Sequence, residues 1–213
     1  EFFAQVYADP DASREPQSAG RNMNSHYATA NTDKNGEWLA IADQYNTASD
    51  MAPTAAQMPR SVGLALASKM FRSVPSLKEY KHLSRNGNEV CFCTIGDAST
   101  SEGHFWEAVN AAGVMQIPLA IFVWDDGYGI SVPKEVQTVK GSISEAIKGM
   151  QKEEGTNGVN IYKVKGWDYA GLCEAFEEGI RIARESHIPV VFQKEFLSSF
   201  EDSPNTKLSK LTK

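Results

Sequence analysis

Four short apolar runs, at residues 89–95, 118–124, 159–164 and 189–192, alternate along the chain with segments whose apolar residues repeat at helical spacing. The helical patterns fall over 99–116, 142–152 and 168–186, with Asp168 placed to cap the last of them. Strands joined by helices of this length pair in parallel, because the crossover returns the chain to the same sheet edge. A parallel sheet must then be covered on both faces. The expected fold class is therefore α/β, a parallel sheet with helices on both faces. One more helix is expected over 54–73, and residues 1–8 read as a helix end. Residues 9–53 are rich in Asp, Asn, Ser and Pro and read as irregular. A loop of that length is functional or covered by another part of the protein. The domain is expected over 1–194, as a piece of a longer chain, with a polar tail over 195–213.

One unit carries chemistry: "GDASTSEGHFWEAVNAAGVMQIPLAIFVWDDGYGIS", residues 96–131. Ser99 and Glu102 fit a capping box, which starts the helix at about Thr100. Phe105, Ala108, Val109, Ala112 and Met115 form its inward stripe. Asp97 follows the first strand, and Asp125 and Asp126 follow the second. If these strands are parallel neighbours, their terminal turns lie about 5 Å apart. Oxygens from both turns can then bind one small cation. Magnesium takes about six oxygens and commonly shares its shell with a phosphate. Free N–H groups at residues 99–101 offer a phosphate seat beside the same spot. The carboxyl edge of such sheets is where ligands bind. The residues thus point to a magnesium-bridged diphosphate site. Two ordinary loop caps remain the alternative at this level, since Asp and Gly are common turn residues.

Composition narrows the classes further. A net charge of −6 with scattered basic residues disfavours a nucleic-acid or anionic-membrane role. No apolar run reaches about 18 residues, so no membrane-spanning helix is expected. The residues contain no secretory signal pattern. Cys91, Cys93 and Cys173 lack zinc-site spacing and read as free thiols in a reducing compartment.

The acidic unit resembles the thiamine diphosphate-binding motif, in which Gly-Asp and a strand-ending Asn pair flank a helix and a strand. It resembles most closely the alpha part of the decarboxylating first component of 2-oxo acid dehydrogenase complexes, branched-chain members above all. The likeness is carried by Gly96-Asp97-Ala98-Ser99, Glu107-Ala108-Val109-Asn110, Ile117-Pro118 and Asp125-Asp126-Gly127-Tyr128-Gly129-Ile130-Ser131. The flanks "GRNMNSHY" (20–27), "PTAAQMPRSVGLALASK" (53–69) and "KVKGWDYAGLCEAFEEGIRIARESHIPVVF" (163–192) follow the family pattern in order.

The resemblance implies a thiamine diphosphate-binding fold and two cofactors, thiamine diphosphate and Mg²⁺. Asp97 and Asp126 would bind the metal through their carboxylates, and Tyr128 through its carbonyl. Ala98 and Ser99 would offer amides to the diphosphate, and Gly96 and Ile130 would also line the cofactor. Thr54 would face the aminopyrimidine through its backbone. His26 lies in the loop that resembles an active-site loop and is the catalytic candidate. The implied reaction is oxidative decarboxylation of a 2-oxo acid, branched-chain in preference, with acyl transfer to a lipoyl group on a partner acyltransferase. A beta subunit or fused beta part would complete the site in a dimer or alpha2beta2-type assembly. Pyruvate or acetoin dehydrogenase-like and transketolase-like activities are the alternatives, as is an inactive fragment lacking the beta part. The implied location is bacterial cytoplasm or mitochondrial matrix.

Three departures stand out. Asp126 occupies the usual Asn position and adds negative charge, for which Arg21 is a candidate compensating cation. Met51 and Ala56 replace the Ser and Thr that hold potassium in some members. Trp124 replaces a basic residue that touches the diphosphate in some members.

Overall fold

The structure, a computed structural model, describes residues 2–15, 17–24, 26–44 and 46–196. The chain forms two compact units, one from residues 1–53 and 70–88, the other from 54–69 and 89 onward. Beyond Phe196, the polar tail expected over 195–213 lies outside the described residues.

The first unit is mostly turns, as the composition of residues 9–53 suggests. It holds helix α1 (Phe2–Val6), 3₁₀ turns at Ile41–Asp43 and Pro75–Glu79, and a bridge between Thr32 and Trp38. A fully buried carboxylate, that of Glu15, fastens one of these turns. Glu15 accepts the Ser18 hydroxyl at 2.6 Å and the amides of Ser18, Gly20 and Gln17 at 2.7, 3.0 and 3.2 Å. Burial opposes the charge, but these donors outweigh it and hold the carboxyl below its ordinary value. Gly20 sits at φ +73°, where a Cβ would press to 2.5 Å from the Ala8 carbonyl carbon. Only glycine fits there.

The second unit is built on strands β1 (Cys91–Gly96), β2 (Leu119–Asp125), β5 (Asn160–Lys165) and β6 (Val190–Glu195), all parallel, in the order β1-β2-β6-β5. Between β2 and β5 lie a two-residue-loop hairpin, β3 (Tyr128–Gly129) with β4 (Val132–Pro133), and short helices α4 (Lys134–Gln137) and α5 (Ile143–Ala146). Period-two alternation sends side chains to opposite faces. Cys93, Ile95, Ile121, Val123 and Val191 enter one core. There they meet Met58 and Ala65 of α2 (Gln57–Ser73) and Phe105, Ala108, Val109 and Ala112 of α3 (Gly103–Met115). Ala120, Phe122, Val190 and Phe192 enter the other, against Phe176, Ile180 and Ala183 of α6 (Tyr169–Ser186). Asp168 caps α6 as expected, accepting the Gly171 amide at 3.0 Å. Cys91, Cys93 and Cys173 are free, and burial pushes the Cys91 thiol up to about 12. That makes it a poor nucleophile.

Two elements differ from the sequence expectation. No capping box forms. Residues Ala98–Ser101 make a 3₁₀ turn, Glu102 is extended, and α3 begins only at Gly103. The Thr100 hydroxyl and amide both donate to the Asp97 carbonyl, at 2.5 and 3.1 Å, and the Glu102 amide donates to the Ser99 carbonyl. That local bonding competes with a helical first turn. The helix expected over 142–152 stops at Ala146 and gives way to a 3₁₀ turn at Lys148–Met150. The cause lies at each end. Ser142 and Ser144 are engaged by Gln193 of β6, and Gln151 bridges to Val159.

The tightest joint is Gly179 of α6 over the Phe192 ring. A Cβ there would sit 2.5 Å from Phe192 Cζ and 3.2 Å from a Tyr162 ring carbon. Phe192 is stacked on Phe122 and Tyr162 at 4.8 and 5.1 Å, so it has little room to yield. Gly179→Ala gains about 1 kcal/mol of helix propensity but overpacks a core, at a cost of roughly 1–3 kcal/mol. A net destabilisation of up to about 2 kcal/mol is expected in urea titrations. In the Gly179→Ala, Phe192→Leu double variant the loss should fall short of the sum of the singles.

Candidate cofactor site

The acidic turns meet as a consequence of strand register. Gly96 pairs with Trp124, and the Asp97 amide donates to the Trp124 carbonyl at 3.0 Å, carrying the ladder one residue past the end of β1. Asp97 therefore stands beside Asp125, one strand spacing of about 4.8 Å away. Asp97 is 4% exposed and Asp125 2%. The two acids are treated very differently. Asp125 accepts Gln193 Nε2 at 2.5 Å, the Gly127 amide at 3.1 Å and Lys134 Nζ at 3.3 Å. Asp97 Oδ2 is buried with no hydrogen-bond partner among the described residues. Burial, then the Asp125 charge and to a lesser degree that of Asp126, push the Asp97 carboxyl up to about 6. A buried acid with an orphaned oxygen, facing like charges, is what a cation would relieve.

Asp126 is exposed, and its Oδ1 accepts the Tyr128 amide at 3.1 Å, which fixes the turn into the hairpin. The hairpin in turn lies on the Ala98 turn. A Cβ at Gly129 would fall 2.7 Å from Ala98 Cβ, and Gln137 Nε2 donates to the Ala98 carbonyl at 3.0 Å. The fold thus brings together Gly96, Asp97, Ala98, Asp126 and Tyr128, with half-buried Ser99 one residue on. Ile130 occupies the hairpin tip, wholly exposed, at φ +59°. That is a strained backbone for a β-branched residue. Thr54 is exposed in the turn before α2, whose Gln57 Nε2 donates to the Thr94 carbonyl at 3.0 Å. Ala55 beside it holds φ +61°. His26 belongs to the first unit, where its Nδ1 lies 2.6 Å from Asp50 Oδ2. Arg21 is in that unit too.

Sequence reasoning missed Lys134, Gln137 and Gln193. Gln193 carried a readable signal, a lone amide inside the apolar run of β6, where a buried polar group must find partners. Lys134 carried none, being one lysine among many. Among the described residues no group of three or more His, Cys, Asp and Glu side chains is disposed to hold a metal, and no helix is long and apolar enough to cross a membrane.

Comparison with known proteins fits this geometry. The chain is 28% identical over 179 residues to the alpha subunit of 2-oxoisovalerate dehydrogenase from Bacillus subtilis, covering 84% of this chain and 44% of that protein. It is 25% identical over 192 residues to the mitochondrial 2-oxoisovalerate dehydrogenase alpha subunit of Mus musculus, covering 90% and 35%. A third relative, the alpha subunit of the pyruvate dehydrogenase E1 component from Rickettsia bellii, is 23% identical over 141 residues, covering 65% and 36%. The chain therefore spans less than half the length of these relatives. The model of the family described as "Dehydrogenase E1 component" matches residues 23–195. With that match over most of its length, on an α/β fold of the thiamine diphosphate-binding class, this chain belongs to the dehydrogenase E1 component family.

Proposed function

We propose that this chain is the alpha part of a 2-oxo acid dehydrogenase and holds the diphosphate and magnesium side of a thiamine diphosphate site. The observation that carries the reading is the buried, unpartnered Asp97 oxygen among three carboxylates at the parallel strand ends. The donor set fits magnesium. Asp97 and Asp126 offer carboxylate oxygens and Tyr128 a main-chain carbonyl, and the shell is left open for phosphate oxygens and water. Asp125, saturated by Gln193, Gly127 and Lys134, is excluded as a ligand and orients the turn. Lys134 is the compensating cation on the site's own sheet edge. Ala98 and Ser99 would offer amides to the diphosphate. When bound, thiamine diphosphate supplies the nucleophilic carbon and the electron sink for decarboxylation.

The 2-oxoisovalerate dehydrogenase relatives favour a branched-chain 2-oxo acid as substrate. A beta part and a lipoyl-bearing acyltransferase complete the reaction, and the likeness of its loop to an active-site loop keeps His26 as the catalytic candidate. The Rickettsia relative keeps pyruvate as the second reading. A substrate panel of branched-chain 2-oxo acids, pyruvate and 2-oxoglutarate, run on the full-length protein with its beta partner, separates them.

Calorimetry of the full-length protein should show thiamine diphosphate binding only with magnesium. Changes to groups that only orient a metal ligand cost about 10–100-fold in affinity, so taking the charge from Asp97, whose buried Oδ2 has no partner among the described residues, in Asp97→Asn should cost at least about 100-fold. Metal-independent binding would overturn the reading. Asp126→Asn should leave affinity within about threefold, because Asp126 is exposed and an amide oxygen there still accepts the Tyr128 amide and still ligates (about half a pK unit of interaction energy). A large loss would show that the charge itself is required.

The pH dependence follows from Asp97. Its folded pKa of about 6 exceeds the ordinary 3.8, so the neutral acid is favoured in the native state. Without metal, ionising it costs stability as pH rises from about 4 to about 6, on the order of 2–3 kcal/mol in full. Metal-free Asp97→Asn should be more stable than the parent above pH 6, with the gain vanishing below pH 4 in thermal melts. Magnesium with cofactor should stabilise the parent and not the variant, and should bind the parent progressively less well as pH falls below about 6.

A further inference from the structure

Gln137 ties the two halves of the candidate site together. One half is the Asp97–Ser99 turn after β1, the other the Asp126 turn with its hairpin. Helix α4 follows the hairpin and is fastened at both ends. At its first residue, the Lys134 amide donates to the Gly127 carbonyl at 2.9 Å and the ammonium reaches Asp125 at 3.3 Å. At its last, Gln137 Nε2 donates to the Ala98 carbonyl at 3.0 Å, across 39 residues of sequence. That contact sets the carboxamide the right way round, because the opposite flip would bring two oxygens together at 3.0 Å. The other end of the carboxamide is unspent. Gln137 Oε1 is buried with no hydrogen-bond partner among the described residues, 3.0 Å from where a Gly129 Cβ would stand. A buried acceptor left bare costs about as much as one hydrogen bond returns. An apolar side chain of the same length would avoid that cost, so stability alone does not call for glutamine here. The hold on Ala98 does.

What that hold fixes is a peptide plane. The peptide joining Ala98 to Ser99 is trans, so its carbonyl and its N–H point in opposite directions. With the carbonyl held by Gln137, the Ser99 N–H faces away from α4. The Ser99 amide meets no acceptor among the described residues, whereas the Thr100 amide is spent on the Asp97 carbonyl and the Glu102 amide on the Ser99 carbonyl. A hydrogen bond to the carbonyl also polarises the peptide, strengthening its N–H as a donor by on the order of 10–30%. The plane borders the Asp97 carboxyl, whose Oδ2 is the other bare oxygen of this turn. A free amide beside a cation seat suits an oxyanion that bridges to the cation.

We propose that Gln137 is a positioning residue of this site, holding the Ala98–Ser99 peptide so that the Ser99 amide meets a diphosphate oxygen of the cofactor. This rests on the cofactor reading above. The test compares the full-length protein with its Gln137→Met variant, which keeps the side chain's length and removes both hydrogen-bonding ends. Calorimetry with magnesium uses three probes: thiamine diphosphate, unphosphorylated thiamine and inorganic pyrophosphate. Thiamine diphosphate and pyrophosphate should each bind the variant on the order of 10-fold more weakly, with thiamine unaffected. The melting temperature without ligand should stay within about 4 °C of the parent's, because the lost hydrogen bond and the relieved oxygen offset each other. Hydrogen exchange at the Ser99 amide should slow in the parent when magnesium and pyrophosphate are added, and slow far less in the variant. Equal affinity of parent and variant for both phosphorylated probes would overturn the proposal. So would a loss shared equally by thiamine, which is what a loosened fold produces, or a Ser99 amide that pyrophosphate leaves unprotected in the parent. A parent that binds pyrophosphate but not thiamine diphosphate would sink the cofactor reading instead, and the pyrophosphate comparison would still decide the role of Gln137.

Discussion

The hydrogen bond from the Asp97 amide to the Trp124 carbonyl is the constraint on which the site depends. It extends a parallel ladder by one residue beyond the β1 strand and so sets two carboxylates side by side at the sheet edge. No side chain could achieve this alone. Two acids held a strand spacing apart repel each other, and the backbone ladder of β1 and β2, buried on both faces, supplies the opposing force. The core is thus what keeps the acids in apposition.

The two acids are then differentiated by their neighbours. Gln193 is completely buried and ties Asp125 on one side to Ser142 and the Ser144 amide on the other, so β6 and α5 are joined through one amide group. Each polar atom in that network has a partner, which is the condition under which a buried network stabilises a unique arrangement. Asp97 is left out of it. A protein optimised for stability alone would not leave a buried carboxylate oxygen bare beside two acids. Such conflict between local stability and arrangement is found where a site binds something.

The strand–helix alternation and both acidic turns were legible in the sequence because burial and turn chemistry are local in pattern. The apolar runs matched the strands to within one to three residues at each end, with β6 running on to Glu195 because Gln193 and Lys194 spend their polar groups inside the protein. The start of α3 was misread. Ser99 and Glu102 have capping-box spacing, but whether a hydroxyl caps or a neighbouring one bonds backward depends on the Asp97 backbone, which is αR here and turns its carbonyl to Thr100. The Lys134–Asp125–Gln193 network was not legible either. Its members are up to 68 residues apart, and only the parallel order β1-β2-β6 makes them neighbours.

The hairpin that closes the edge shows the same dependence of local geometry on distant packing. Ile130 takes a left-handed backbone that costs a β-branched residue free energy, and its side chain is wholly exposed, so no burial offsets that cost. The offset comes from its neighbours. Gly129 admits Ala98 to a distance no other residue would allow, the Asp126 carboxylate holds the Tyr128 amide, and Lys134 returns its amide to the Gly127 carbonyl at 2.9 Å. With both hairpin stems fastened, the two-residue connection has no freedom to relax. Ile130 is therefore presented outward by constraints on residues 126–134 rather than by any preference of its own.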